Sequence, residues 1–164
     1  MKQLLLFVLL VTALHSNAQN KTLAVGDQAP AISLLQPSGK TLQLSDLHGK
    51  IVLIDFWASW CLPCVKEQPL LKAIYKKHAN SGRFEILGVS LDSKKENWEK
   101  SIQRLGITWP QVSDLKFWNS VPARDYGVEE LPFNVVVNEE GKIIAINLHD
   151  KALEQFLDQQ LTNK

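Results

Sequence analysis

Ile51-Val52-Leu53-Ile54-Asp55-Phe56-Trp57-Ala58-Ser59-Trp60-Cys61-Leu62-Pro63-Cys64 is the stretch on which the fold turns. Its first part, Ile51 to Trp57, is β-branched and aromatic with one charge, the composition of a strand buried on both faces. Beyond it, Val65, Leu70, Leu71, Ile74 and Tyr75 fall at helical spacing. A strand therefore hands over to a helix N-terminus where Cys61 and Cys64 lie, and these are the two cysteines of the chain. Unpaired backbone N–H groups and the helix dipole at that place stabilise negative charge. A thiolate at Cys61 gains from both, which lowers its pKa and raises the fraction able to attack a disulfide. Pro63 has no N–H to donate and a fixed φ, which suits the first helical turn. A bridge across two intervening residues closes too small a loop to stabilise a fold much, so the pair reads as reactive.

Working outward, Leu23 to Ala29 is expected to be loose. Ala31 to Leu35 and Leu42 to Leu44 read as short strands joined by a turn at Pro37-Ser38-Gly39-Lys40, an N-terminal β-hairpin extension. Ser45-Asp46-Leu47 starts a tight turn ending at Gly49. The helix from Cys61 to about Asn80 contains Pro69, expected to kink it, and Gly82 stops it. Phe84 to Leu91 is a second buried strand, and Lys94 to Leu105 a helix ended by Gly106. A short helix is expected over Asn119 to Tyr126. Val135 to Val137 and Lys142 to Asn147 form a closing hairpin around Asn138 to Gly141, and Lys151 to Leu161 is an amphipathic helix. Strands separated by helices pair in parallel and the last hairpin is antiparallel, so the class is α/β with a mixed central sheet and helices on both faces.

The chain opens with Met1-Lys2, a mainly apolar run of eleven residues from Leu4 to Leu14, and the small-residue site Ser16-Asn17-Ala18. That is the pattern of a signal peptide over residues 1–18, with one domain over 19–164. The apolar run is shorter than the roughly 18–20 residues that span a bilayer. Cleavage near Ala18 predicts a periplasmic or otherwise exported protein; an uncleaved segment would leave it tethered to the membrane. No cysteine near Ala18 offers a site for lipid. Loss of Lys2 leaves 17 Lys and Arg against 17 Asp and Glu. That balance gives no footprint for nucleic acid, and Lys76-Lys77 and Lys94-Lys95 read as solvated helix faces.

These residues carry a family resemblance. Val25-Gly26-Asp27-Gln28-Ala29-Pro30, Leu44 to Lys50, Asp55 to Cys64, Tyr126-Gly127-Val128, Leu131-Pro132 and Asn138 to Ile143 together resemble the exported TlpA/ResA-type thiol–disulfide oxidoreductases. Those proteins have a thioredoxin-like fold and are related to redoxin and AhpC/TSA proteins. The resemblance implies that Cys61 attacks the substrate disulfide and Cys64 resolves the mixed disulfide. It also implies that Pro132 is a cis-proline packed beside them, presenting the backbone of Leu131 to an extended substrate segment. It places Asp55 where thioredoxins carry a buried aspartate, and Glu67 where ResA-type relatives carry a glutamate beneath the site. On one helix face with Cys64, Glu67 is expected within reach of the sulfur or of one bridging water, where a buried carboxylate can handle a proton. The implied partners are disulfide-containing exported proteins, apocytochrome c among them, and a membrane thiol donor for re-reduction. No cofactor and no metal are implied. Glu130 and Phe133 stand where relatives commonly have Gly and Thr beside the cis-proline, which bears on substrate identity more than on the reaction.

Other readings share parts of this pattern. A zinc half-site needs about four N, S or O ligands in all, and His48, His78 and His149 lie far apart with no paired spacing. A peroxidase wants Thr or Ser three residues before the reactive cysteine, where this chain has Ala58. An oxidant of exported proteins and a non-enzymatic client-binding module keep the same fold and differ in chemistry. Trp60 is expected at the rim of the site, Trp57 in the core.

Overall fold

The computed structural model describes residues 23–162. The signal-peptide segment lies outside the described residues. Seven strands, β1 (Ser33–Leu35), β2 (Thr41–Gln43), β3 (Ile51–Trp57), β4 (Phe84–Ser90), β5 (Gln111–Ser113), β6 (Phe133–Val137) and β7 (Ile143–Ile146), form one sheet in the order β2-β1-β5-β4-β3-β6-β7. β3 pairs in parallel with β4, and β4 with β5. β1–β2, β1–β5, β3–β6 and β6–β7 are antiparallel, so the sheet is mixed. Four α-helices complete the described residues: α1 (Leu62–His78), α2 (Lys95–Leu105), α3 (Val121–Asp125) and α4 (Asp150–Thr162).

Every residue of β3 is buried, as its apolar run requires. Successive side chains point to opposite faces. On one face Asp55 meets Gln68 of α1. On the other, Phe56 packs on Tyr126, which follows α3, at 5.2 Å between ring centroids. Helices thus stand on both faces of the sheet. α4 lies beside α1: Lys77 and His78 both reach the Asp158 carboxylate at 2.7 Å. The α1 helix runs through Pro69 and gives way to a 3-10 turn at Ala79–Ser81. Gly82 ends the segment at φ 70°, a left-handed conformation that glycine adopts without steric cost.

β5 was not legible in the sequence. Three residues are below the length at which alternation declares itself, and Gln111-Val112-Ser113 follows Trp109-Pro110 with two polar side chains. Its register explains a glycine in the middle of β4. Gly88 pairs with Asp55 on one side and Gln111 on the other. The Gln111 amide lies over Gly88, in the space a Cβ would occupy. That amide is buried and its Oε1 accepts a 2.9 Å hydrogen bond from Trp57 Nε1. Gly88→Ala should therefore displace Gln111 and break this bond, at a cost of roughly 1–3 kcal/mol. Denaturant unfolding measures it, and the added substitution Gln111→Ala should recover part of the loss. Equal midpoints for Gly88→Ala and the wild type would contradict this packing.

Candidate active site at the end of the third strand

Cys61 is the N-cap of α1, with extended backbone (φ −81°, ψ 99°), and its Sγ accepts a hydrogen bond from the Cys64 backbone N–H at 3.2 Å. Cys61 and Cys64 are joined in a disulfide. Pro63 occupies the first turn, as its missing N–H allows. Cys61 keeps a small accessible surface and Cys64 almost none. The helix start therefore aims the Cys64 N–H at the sulfur of Cys61, the less buried of the two cysteines.

The turn between β3 and Cys61 is held by a residue the sequence analysis missed. Asp92, buried just beyond β4, accepts from the Ser59 backbone N–H at 3.0 Å, from Ser59 Oγ, and from Ser90 Oγ at 2.8 Å. The Leu91 N–H donates to Trp57 O at 2.9 Å, extending the β3–β4 pairing up to the turn. An aspartate ending a buried strand was the available signal, but its partner lies 33 residues earlier.

The Leu131–Pro132 peptide bond is cis. Phe133 pairs with Phe56 across the β3–β6 ladder, which sets Pro132 beside the end of β3 and the start of the cysteine loop. Leu131 and Pro132 are half-buried, and a pocket beside them is lined by Gly127, Glu129, Glu130, Phe133 and Asn147. Both side chains that set this chain apart in the sequence thus border one groove. Trp60 is exposed and Trp57 fully buried.

Two acidic residues meet where β3 faces α1. Asp55 is buried, and its Oδ2 has no hydrogen-bond partner. Burial pushes its pKa from the ordinary 3.8 to about 7, the nearby Glu67 charge pushes the same way, and a hydrogen bond with Gln68 opposes them. Glu67 Oε1 bonds to His149 Nδ1 at 2.8 Å. His149 in turn meets Asn147 Oδ1 through Nε2 at 2.9 Å. The pairing of Glu67 and His149 spans 82 residues, which no local spacing could have disclosed.

Comparison with known proteins adds to this geometry. The model of the AhpC/TSA family matches residues 25–146. The thiol-disulfide oxidoreductase ResA of Geobacillus thermodenitrificans is 34% identical over 142 residues, 85% of this chain and 79% of that protein. The thioredoxin domain of a thiol-disulfide oxidoreductase from Bacteroides vulgatus superposes with a TM-score of 0.80 at 35% identity, covering 85% of this chain and 99% of that one. A thiol-disulfide oxidoreductase from Bacteroides fragilis gives a TM-score of 0.79 at 34% identity over 82% of this chain and 100% of that one.

The raised pKa of Asp55 fixes the sign of a pH effect. Between 3.8 and about 7 the folded protein binds a proton that the unfolded chain has released. Native stability therefore falls as pH rises through that window, and the loss is complete above it. Asp55→Asn in the disulfide form should remove this dependence, so its stability advantage over the wild type should grow from pH 4 to pH 7 by on the order of a few kcal/mol and then level off. Denaturant melts across the range read this directly. A difference that stays constant with pH would contradict the assignment.

Proposed function

We propose, for a chain that belongs to the AhpC/TSA family and is a thiol–disulfide oxidoreductase, that it works outside the cytoplasm as a reductant of protein disulfides. The single observation behind this reading is the disulfide at the N-cap of α1, with Cys61 the less buried of the two cysteines, beside a cis-proline edge. In the reduced protein Cys61 is the attacking thiolate, favoured by the helix N-terminus and the Cys64 N–H. It bonds to one sulfur of the substrate disulfide and expels the other as a thiolate. Cys64 then gives up its proton and attacks Cys61, freeing the second substrate sulfur and leaving the Cys61–Cys64 disulfide. Leu131 and Pro132 present the backbone edge against which the substrate segment lies.

Asp55 and Glu67 share the handling of the Cys64 proton. Asp55, titrating near pH 7, can take it up and return it without a large energy gap, and Glu67 raises the basicity of Asp55 through its charge. The same two carboxylates disfavour a thiolate close by, which stabilises the disulfide over the dithiol and supports the reductive direction. Haem-attachment cysteines of apocytochrome c are one substrate class this direction serves. An oxidising compartment would then require a membrane thiol donor to restore the dithiol. Export rests on residues 1–18 of the sequence. Among the described residues, no helix is long and apolar enough to cross a membrane.

Trapping tests the roles of the sulfurs. Cys64→Ser should accumulate a covalent mixed disulfide with its clients in cells, visible as a reducible shift on gels, whereas Cys61→Ser should trap none and lose exchange activity by at least about a thousandfold. Client binding that is indifferent to loss of both cysteines would instead mark a non-enzymatic module. The pH–rate profile tests the carboxylates. The wild type should show an inflection near pH 7. Glu67→Gln removes a charge that raises the Asp55 pKa, so the inflection should move to lower pH, and Asp55→Asn should abolish it. Profiles that coincide in all three proteins would assign the proton to solvent.

A further inference from the structure

The edge of the sheet that carries the disulfide continues past it. By strand order, β6 with Pro132 flanks β3 on one side, while β4 and then β5 lie on the other. The chain leaving β5 returns to that edge and presents Phe117 and Trp118 against Trp60, the residue before Cys61. The Trp60 ring lies 5.1 Å from Phe117 and 6.1 Å from Trp118 between centroids. These rings do not bury one another: Trp60 is 47% exposed, Phe117 41%, Trp118 39%, and Leu62 between the cysteines 63%.

The loop that displays them is constrained. Leu115 (φ 58°) and Phe117 (φ 54°) both occupy the left-handed region, which non-glycine side chains rarely adopt. The surroundings enforce it. Ser113 Oγ accepts from the Leu115 N–H at 3.1 Å and donates to Ser90 O at 2.8 Å. Asp114 accepts from the Lys116 N–H and, across the loop, from the Val121 N–H, each at 3.2 Å. Hydrogen bonds thus hold two strained residues in a geometry that leaves two large rings in water beside a reactive sulfur.

Resting on the exchange reading, we propose that Trp60, Phe117 and Trp118 form a second substrate contact, on the side of the disulfide away from Pro132, that receives a large apolar side chain of the polypeptide being reduced. The occupant follows from position. Whatever is reduced must bring its own sulfur to Cys61, one residue from Trp60, so a polypeptide held on the Pro132 edge extends over the rings. At roughly 3.3 Å per extended residue, the rings are in reach of a side chain two to four residues from the reacting cysteine. Exposed aromatics desolvated by an apolar partner are a strong source of binding energy.

Two synthetic peptides test this, identical except for Phe or Ser three residues from a single cysteine that carries a thionitrobenzoate mixed disulfide. The reduced protein attacks through Cys61, thionitrobenzoate leaves, and Cys64 releases the peptide thiol; the dithiol is oxidised as the peptide disulfide is reduced. The wild type should favour the Phe peptide by about tenfold at subsaturating concentration, equivalent to about 1.4 kcal/mol. The Phe117→Asn/Trp118→Ser double variant should bring the ratio to about one, Asn being tolerant of the left-handed backbone; Trp118→Ser alone, which leaves that backbone residue in place, should reduce it. Equal wild-type rates with both peptides overturn the surface while leaving exchange intact. A wild type that reacts with neither peptide overturns the exchange reading and this surface with it. A dimer in sedimentation that the double variant abolishes, without peptide preference in the wild type, assigns the rings to a second copy and overturns the proposal.

Discussion

The parallel pairing of β3 with β4 is the constraint from which the site follows. Parallel strands start at the same end of the sheet, so the chain must travel back along α1 from the point where β3 stops. The cysteines occupy that junction, and Cys61 becomes the cap of a helix whose first N–H groups have no other partner. Because β4 ends beside β3, Asp92 reaches Ser59 and fixes the turn. The antiparallel β6 brings Pro132 to the same edge from the other side. Remove that pairing and the sulfurs, the clamp and the proline edge no longer share one place.

Opposing electrostatic effects operate around the helix start and the strand behind it. The helix start and the Cys64 N–H favour a thiolate at Cys61. At Asp55 burial and the Glu67 charge act the other way and favour the neutral carboxyl. Under the proposed exchange, Cys61 is the sulfur to be made nucleophilic and Asp55 the base for the Cys64 proton. Burial holds the Asp55 pKa at about 7, which costs stability at neutral pH.

The mixed sheet, the two buried strands, the helix from the cysteines and the closing hairpin could all be read from sequence, because runs such as Ile51 to Trp57 and the spacing after Cys64 are strong local signals. Positions along one segment were equally legible: Cys61, Cys64, Pro63 and Trp60 fall within five consecutive residues. What escaped is set by distance along the chain. The short β5, the Asp92 clamp on Ser59, the Glu67–His149 pair and the packing of Trp60 on Phe117 and Trp118 all join segments brought together only by the sheet order. Gly88 reads as a plain strand glycine until Gln111 is seen lying across it. Asp55 was recognised by position, but the burial and the Glu67 charge that raise its pKa are properties of the packed interior.

The central claim is that Cys61 and Cys64 form a reducing couple, and its equilibrium potential tests that most directly. The protein is equilibrated in glutathione or dithiothreitol buffers of known potential, quenched with an alkylating agent and weighed. The account predicts one two-electron transition, about 30 mV per decade, with a midpoint toward the thioredoxin end near about −270 mV. A midpoint near about −120 mV, that of a strong oxidant, or a disulfide that does not titrate as a two-electron couple, would contradict it.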